Sequence, residues 1–215
     1  MKKNYSLLSK ALFAFLLSIA ASGNFAFAQS EDLHLQKLHA VELSPATPGV
    51  RYIYETPISP KSTFEFTAGL DASLIFAYSN SYVKINQDRI EEKERRFQLY
   101  LTPNIGLAYK YYYNMNKRVE AGKNVNNNAG NYIGLRLING LEGWTTEKVK
   151  TETYTMESQG FSKNYIGFAS AVWGMNRNLG KNFVFNFEVG PGIVFGEDRE
   201  SEFFLRLNTG FKKVF

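Results

Sequence analysis

The chain is patterned with a period of two. From Thr63 to Tyr78, Phe64, Phe66, Ala68, Leu70, Ala72, Leu74, Phe76 and Tyr78 fall at alternate positions. Thr63, Glu65, Thr67, Gly69, Asp71 and Ser73 lie between them, and only Ile75 and Ala77 blur the polar set. Successive strand side chains point to opposite faces, so this segment predicts a strand with one apolar and one polar face.

The design recurs. Phe97, Leu99, Leu101, Pro103, Ile105, Leu107, Tyr109, Tyr111 and Tyr113 oppose Gln98, Tyr100, Thr102, Asn104, Gly106, Ala108 and Lys110. Phe183, Phe185, Phe187, Val189, Ile193 and Phe195 alternate with Asn186, Glu188, Gly190 and Gly192. The last segment sets Phe203, Leu205, Leu207, Phe211 and Phe215 against Phe204, Arg206, Asn208, Gly210 and Lys212. Eight strands are predicted, over 37–44, 49–58, 62–78, 96–113, 131–143, 160–177, 182–196 and 201–215. The first makes the count even and lets the sheet close, which removes unpaired edges. In 160–177 two registers compete, Tyr165, Ala169, Ala171, Trp173 and Met175 against Ile166, Phe168 and Val172.

Soluble strands run about 5–6 residues, whereas strands that cross a bilayer need about 9–11. Length and a strongly aromatic apolar face favour the membrane. The small and polar opposite face suits a narrow barrel interior. Connections near 57–61, 178–181 and 196–201 read as short turns. Residues 79–95 and 144–160 read as long polar loops on the outside, and 114–130 as a long, flexible Asn/Gly-rich connection on the periplasmic side. Pro103 and Pro191 fall inside strands, where each removes a ladder donor, and a bulge at each would accommodate them.

The N-terminus changes the picture. Lys2 and Lys3 precede the apolar run Ala11–Ala21, and Ala26-Phe27-Ala28 supplies small residues for a signal peptidase. Residues 1–28 therefore read as a secretory signal cleaved between Ala28 and Gln29, with the mature domain at 29–215. The run is too short to span a bilayer as a helix, which takes about 20 residues. The chain carries +5, and the signal removes Lys2, Lys3 and Lys10 without removing an acid, so the mature domain keeps +2. That excludes a nucleic-acid-binding charge pattern. With no cysteine, the exported domain is held by burial or by a closed hydrogen-bonded sheet.

Taken together, the signal ending Ala26-Phe27-Ala28, the alternating strands and the terminal strand Phe203–Phe215 resemble the small outer-membrane β-barrel proteins of Gram-negative bacteria, of OmpA/OmpX-type architecture. The runs Tyr111–Arg118 and Trp173–Lys181 are similar to patterns in uncharacterised barrels of this class. The resemblance implies an all-β, closed antiparallel transmembrane barrel of about eight strands in an up-and-down meander, integral to the outer membrane. It also implies that Phe211 and Phe215 form an assembly signal read by the barrel-assembly machinery. It is unspecific for activity.

On the polar face, Arg51, Lys110, Arg136, Arg206 and Lys212 point inward with Glu55, Glu65, Asp71 and Glu188. Buried charges are tolerated when paired, so these predict a salt-bridged plug, since barrels of about eight strands are filled by side chains. A narrow conduit or solute-binding barrel would use the same residues as lining. A lipid-modifying enzyme would need a histidine near the outer rim. Only His34 and His39 exist, and neither precedes a nucleophile pattern, so no enzymatic site is expected. No cofactor or metal is expected either: there is no ligand spacing on a strand, and 122–130 holds no carboxylate for calcium. Expected partners are outer-membrane lipid, lipopolysaccharide and the assembly machinery. The charged run Ile90–Arg96 reads as a solvated loop or a partner contact. Tyr52, Tyr54, Tyr78, Tyr111, Tyr113 and Trp173 fit interfacial girdles. A soluble lipocalin-like barrel is the fold alternative, with an apolar interior.

Overall fold

The computed structural model describes residues 35–45, 48–85, 88–151, 154–197 and 199–215. The proposed cleavage residues Ala26, Ala28 and Gln29, and His34, lie outside them. Eight antiparallel strands follow in chain order: β1 (Leu38–Ser44), β2 (Gly49–Ser59), β3 (Ser62–Ile85), β4 (Asp88–Tyr111), β5 (Asn131–Lys150), β6 (Thr155–Asn178), β7 (Phe183–Gly196) and β8 (Arg199–Val214). Each pairs with its sequence neighbours, and β1 pairs with β8 from Ala40↔Val214 to Leu43↔Phe211. The sheet is thus a closed up-and-down barrel, and the short first strand supplies the closure.

The two long charged stretches are strand rather than loop. β3 and β4 stay in one register from Ser62↔Tyr111 to Ile85↔Asp88. β5 and β6 remain paired out to Lys150↔Thr155. Charge reads as loop only when one face must be apolar; beyond a barrel rim water wets both faces, and Thr, Tyr and Val still favour the pleat. β2 begins opposite Asp71 and β7 ends opposite Ile166, so β3 to β6 project past the shorter strands. From Ala72 to Ile85 that is about 40 Å of strand at 3.3 Å per residue.

The connection 112–130, expected to be flexible, is folded. It carries α1 (Met115–Glu120) and a 3-10 turn at Asn126–Asn128. Leu35, Tyr112, Met115, Tyr132 and Val172 form an apolar cluster there. Asn127 and Asn128 have φ of 54° and 56°. That left-handed geometry costs most L-residues about 1–2 kcal/mol, and Asn is among the few that adopt it readily. The Asn-rich stretch is therefore a tight turn, not low-complexity filler.

Register explains the two prolines differently. β4 and β5 slip by one residue between Leu101 and Asn104, around Pro103. Gly143 across from it has φ of 77°, and a Cβ there would collide with the Leu101 carbonyl oxygen. Pro191 needs no bulge. β6 and β7 keep one register from Ser170↔Gly192 to Trp173↔Val189, and the ladder skips the residues between. In β6, Ser170, Val172, Gly174 and Asn176 are buried while Ala171 and Trp173 are exposed, which settles the ambiguous register. Phe168 turns inward against Phe204, with ring centroids 5.8 Å apart.

Candidate functional site

Burial is inverted relative to a water-soluble protein. Phe76, Phe203, Leu205 and Phe215 are 72–90% exposed on the outside, whereas Lys110 is 0% and Glu55, Glu65 and Glu188 each 1% exposed within. The alternation causes this directly, because a closed sheet sends every second side chain into a lumen too narrow for bulk water.

Charges inside are balanced. Arg51, Lys110, Arg136, Arg206 and Lys212 face Glu42, Glu55, Glu65, Asp71 and Glu188. Glu65 is the hub. It pairs with Lys110, with Arg136 at 2.8 Å and with Lys212 at 3.5 Å. Arg136 Nη2 also donates to Glu188 Oε1 at 2.6 Å, and Arg206 Nε reaches Glu188 Oε2 at 3.3 Å. Lys110 Nζ extends the chain to Glu55 Oε2 at 3.2 Å. Toward the projecting end, Arg51 bridges Glu42 at 3.1 Å and Asp71 at 2.7 Å.

Neutral groups complete the network. Glu55 Oε1 accepts from Thr63 Oγ1 and Tyr112 Oη at 2.8 Å and from Asn128 Nδ2 at 3.2 Å. Tyr132 Oη donates to Glu188 at 2.9 Å. Asn186 Nδ2 donates to Tyr132 Oη and to Asn176 Oδ1, and Asn176 Nδ2 donates to Tyr112 Oη. Tyr112 lies just past β4. Its burial, and the Glu55 carboxylate beside it, hold its hydroxyl well above the usual range, so it stays a donor. Asn128 ties this plug to the N-terminal segment, accepting from Gln36 N at 2.7 Å and donating to Gln36 O at 2.9 Å.

All nine inward charges read from the sequence thus sit in one connected network. Glu42 was missed, although its place was readable: it lies directly across from Arg51 on one side and Lys212 on the other. Tyr112, Asn128, Tyr132 and Asn176 were also missed, because single neutral polar residues give no pattern until the barrel closes; Asn186 falls on the polar face of β7, as its alternation predicts. The cavity among Glu42, Arg51, Glu65, Arg136, Arg206 and Asn208 holds about 10 Å³, room for roughly one water.

His39 is on the outer face near the chain's C-terminal end, its Nδ1 2.6 Å from Tyr52 Oη. Phe215 N donates to His39 O at 2.9 Å, and the Phe211 and Phe215 side chains are exposed. Among the described residues no group of histidine and carboxylate side chains is disposed to hold a metal.

No protein-family model matches the chain. No curated protein matches it. A solved structure, Acinetobacter baumannii CarO2, is similar at 11% identity with a TM-score of 0.38, covering 83% of this chain and 98% of that one. At that level the likeness adds nothing to the closed eight-stranded barrel established by its own hydrogen bonding.

Proposed function

We propose that the protein is an integral outer-membrane barrel whose interior is a salt-bridged plug and whose role is structural or surface-presenting. It is exported by cleavage between Ala28 and Gln29 and assembled through its terminal strand, with Phe211 and Phe215 as the signal. The inverted polarity carries this reading. A lumen of paired charges inside an aromatic exterior is unfavourable in water, where large exposed apolar patches drive association, and favourable in lipid.

The two tryptophans support it. Trp173 pairs across from Ile133 of β5, and Trp144 lies eleven residues further along that strand. At about 3.3 Å per residue and a tilt of 35–45°, they stand about 25–30 Å apart along the barrel axis. Both are exposed on the outer face. That spacing matches an apolar band about 25 Å tall bounded by aromatic girdles. Trp173 Nε1 donates to Tyr113 Oη at 2.9 Å within one such girdle.

The projecting sheet of β3 to β6 is what the barrel offers to the outside. The conduit reading is disfavoured by the cavity of one water's size, since passage of a solute would require parting the Glu65 and Glu188 pairs. Conductance of the refolded mature chain in a planar bilayer tests the plug. A silent, folded barrel is expected; a steady ion-selective current would make Arg51, Lys110, Arg136 and Glu188 a pore lining.

A further inference from the structure

We propose that the outer face of β3, β4 and β5, at the upper margin of the aromatic belt, binds the phosphorylated headgroup of a membrane lipid; this rests on the outer-membrane reading above. A groove of about 440 Å³ lies there; Ala77 and Arg96 border it, and Phe76, Tyr78, Arg95, Phe97, Lys148 and Lys150 line it from the outer face. Register builds it. Phe76 pairs across from Phe97, and Phe97 from Lys148; one step higher, Tyr78 pairs across from Arg95, and Arg95 from Lys150. All six side chains therefore share one face, Phe76, Phe97 and Lys148 in the lower row and Tyr78, Arg95 and Lys150 in the upper, so that rings give way to cations from β3 to β5. The Phe76 and Phe97 rings are 5.1 Å apart.

The charge arrangement is what calls for a ligand. Arg95 and Lys150 are set directly opposite one another, a like-charge cross-strand pair that destabilises a sheet. Arg96, the next residue, points to the other face and is met by Glu94 at 2.9 Å and Glu147 at 3.5 Å. Among the described residues the carboxylate on the groove face is Glu157, which pairs with Lys148, both more than half exposed. Among the described residues, three cations thus flank an aromatic floor with one acid beside them, a complement to an anionic amphiphile.

Height fits too. On β5, Lys148 stands four residues beyond the girdle residue Trp144, about 10 Å higher along the barrel axis at the rise and tilt used above, which sets the cations in the headgroup layer above the hydrocarbon. The Phe76 and Phe97 rings give a free phosphate no polar partner, but they give an acyl chain a surface on which to lie. The geometry therefore points to a lipid phosphate rather than a free ion.

The test uses the refolded full-length mature chain in phosphatidylcholine vesicles doped with bis-phosphorylated lipid A, with dephosphorylated lipid A and inorganic phosphate as controls. Binding is read by native mass spectrometry after detergent release. Wild type should retain the phosphorylated lipid and lose it on dephosphorylation. Each Lys or Arg near an anionic surface contributes roughly fivefold, so the triple variant R95Q/K148Q/K150Q should bind on the order of a hundredfold more weakly while inserting normally. Glu157→Gln, which removes the competing acid, should bind more tightly. Equal retention by wild type and the triple variant would overturn the proposal, as would displacement of the lipid by millimolar inorganic phosphate. Failure of wild type to insert into plain phosphatidylcholine vesicles would instead overturn the membrane reading beneath it.

Discussion

Glu65→Gln is the most informative single perturbation of the plug. The carboxylate is 1% exposed and compensates Lys110, Arg136 and Lys212 at once. Gln keeps the shape, but it places an amide donor among three cations and leaves the lumen with one uncompensated positive charge. Removing one partner of a buried ion pair costs about 3–5 kcal/mol, most of it from the charge left behind. The contrast is the exposed Lys148–Glu157 pair, for which about 0–1 kcal/mol is expected. Urea unfolding of the vesicle-inserted barrel, followed by tryptophan emission, measures the difference. With a slope of about 1–3 kcal/mol per molar, the Glu65→Gln midpoint should fall by about 1–5 M. Lys110→Met combined with Glu65→Gln removes both partners and restores charge balance. Glu55 keeps Thr63, Tyr112 and Asn128 as donors in that variant, so the double should lose less than the worse single. A Glu65→Gln midpoint within 0.3 M of wild type would refute the view that this network holds the lumen together.

Other consequences can be measured separately. Asn128→Ala should destabilise by about 2–4 kcal/mol, since it removes both Asn128 bonds to Gln36 and one of the donors to Glu55 and forces Ala to positive φ, whereas Asn128→Gly should recover about 1 kcal/mol of that in the same urea titration. Gly143→Ala should abolish correct β4–β5 pairing, seen as loss of the heat-modifiable gel shift of the folded barrel. Leu70→Lys puts a cation on the outer face, and vesicle insertion should fall by about 2–4 kcal/mol; normal folding of this variant as a soluble monomer would sink the membrane reading. The raised pKa of Tyr112 means its contribution is complete below the unfolded tyrosine value near 10 and is lost as pH rises beyond it. Tyr112→Phe should flatten the fall in stability above pH 10.

The barrel was legible because alternation is a local signal that a closed sheet turns directly into inside and outside. All eight strands lie where Phe64–Tyr78, Phe97–Tyr113, Phe183–Phe195 and their kin place them. Strand ends were not legible at 79–95 and 144–160, because past the rim nothing requires an apolar face, and Lys and Glu on a wet strand look like Lys and Glu in a loop. The plug at 112–130 was hidden for another reason: its apolar anchors, Leu35, Met115 and Tyr132, are far apart in sequence and meet only when the barrel brings them together. Glu42 escaped notice because β1 is too short for its alternation to stand out, and only its neighbours across β2 and β8 give it a role.

The proposed function requires that the aromatic exterior face lipid. The most direct test is quenching of Trp144 and Trp173 by phosphatidylcholines brominated at successive depths along the acyl chain, in vesicles holding the refolded mature chain. Both indoles should be quenched most strongly by shallow bromines near the two interfaces, and protected from aqueous iodide. Insensitivity to brominated lipid at every depth, with free access to iodide, would contradict the account.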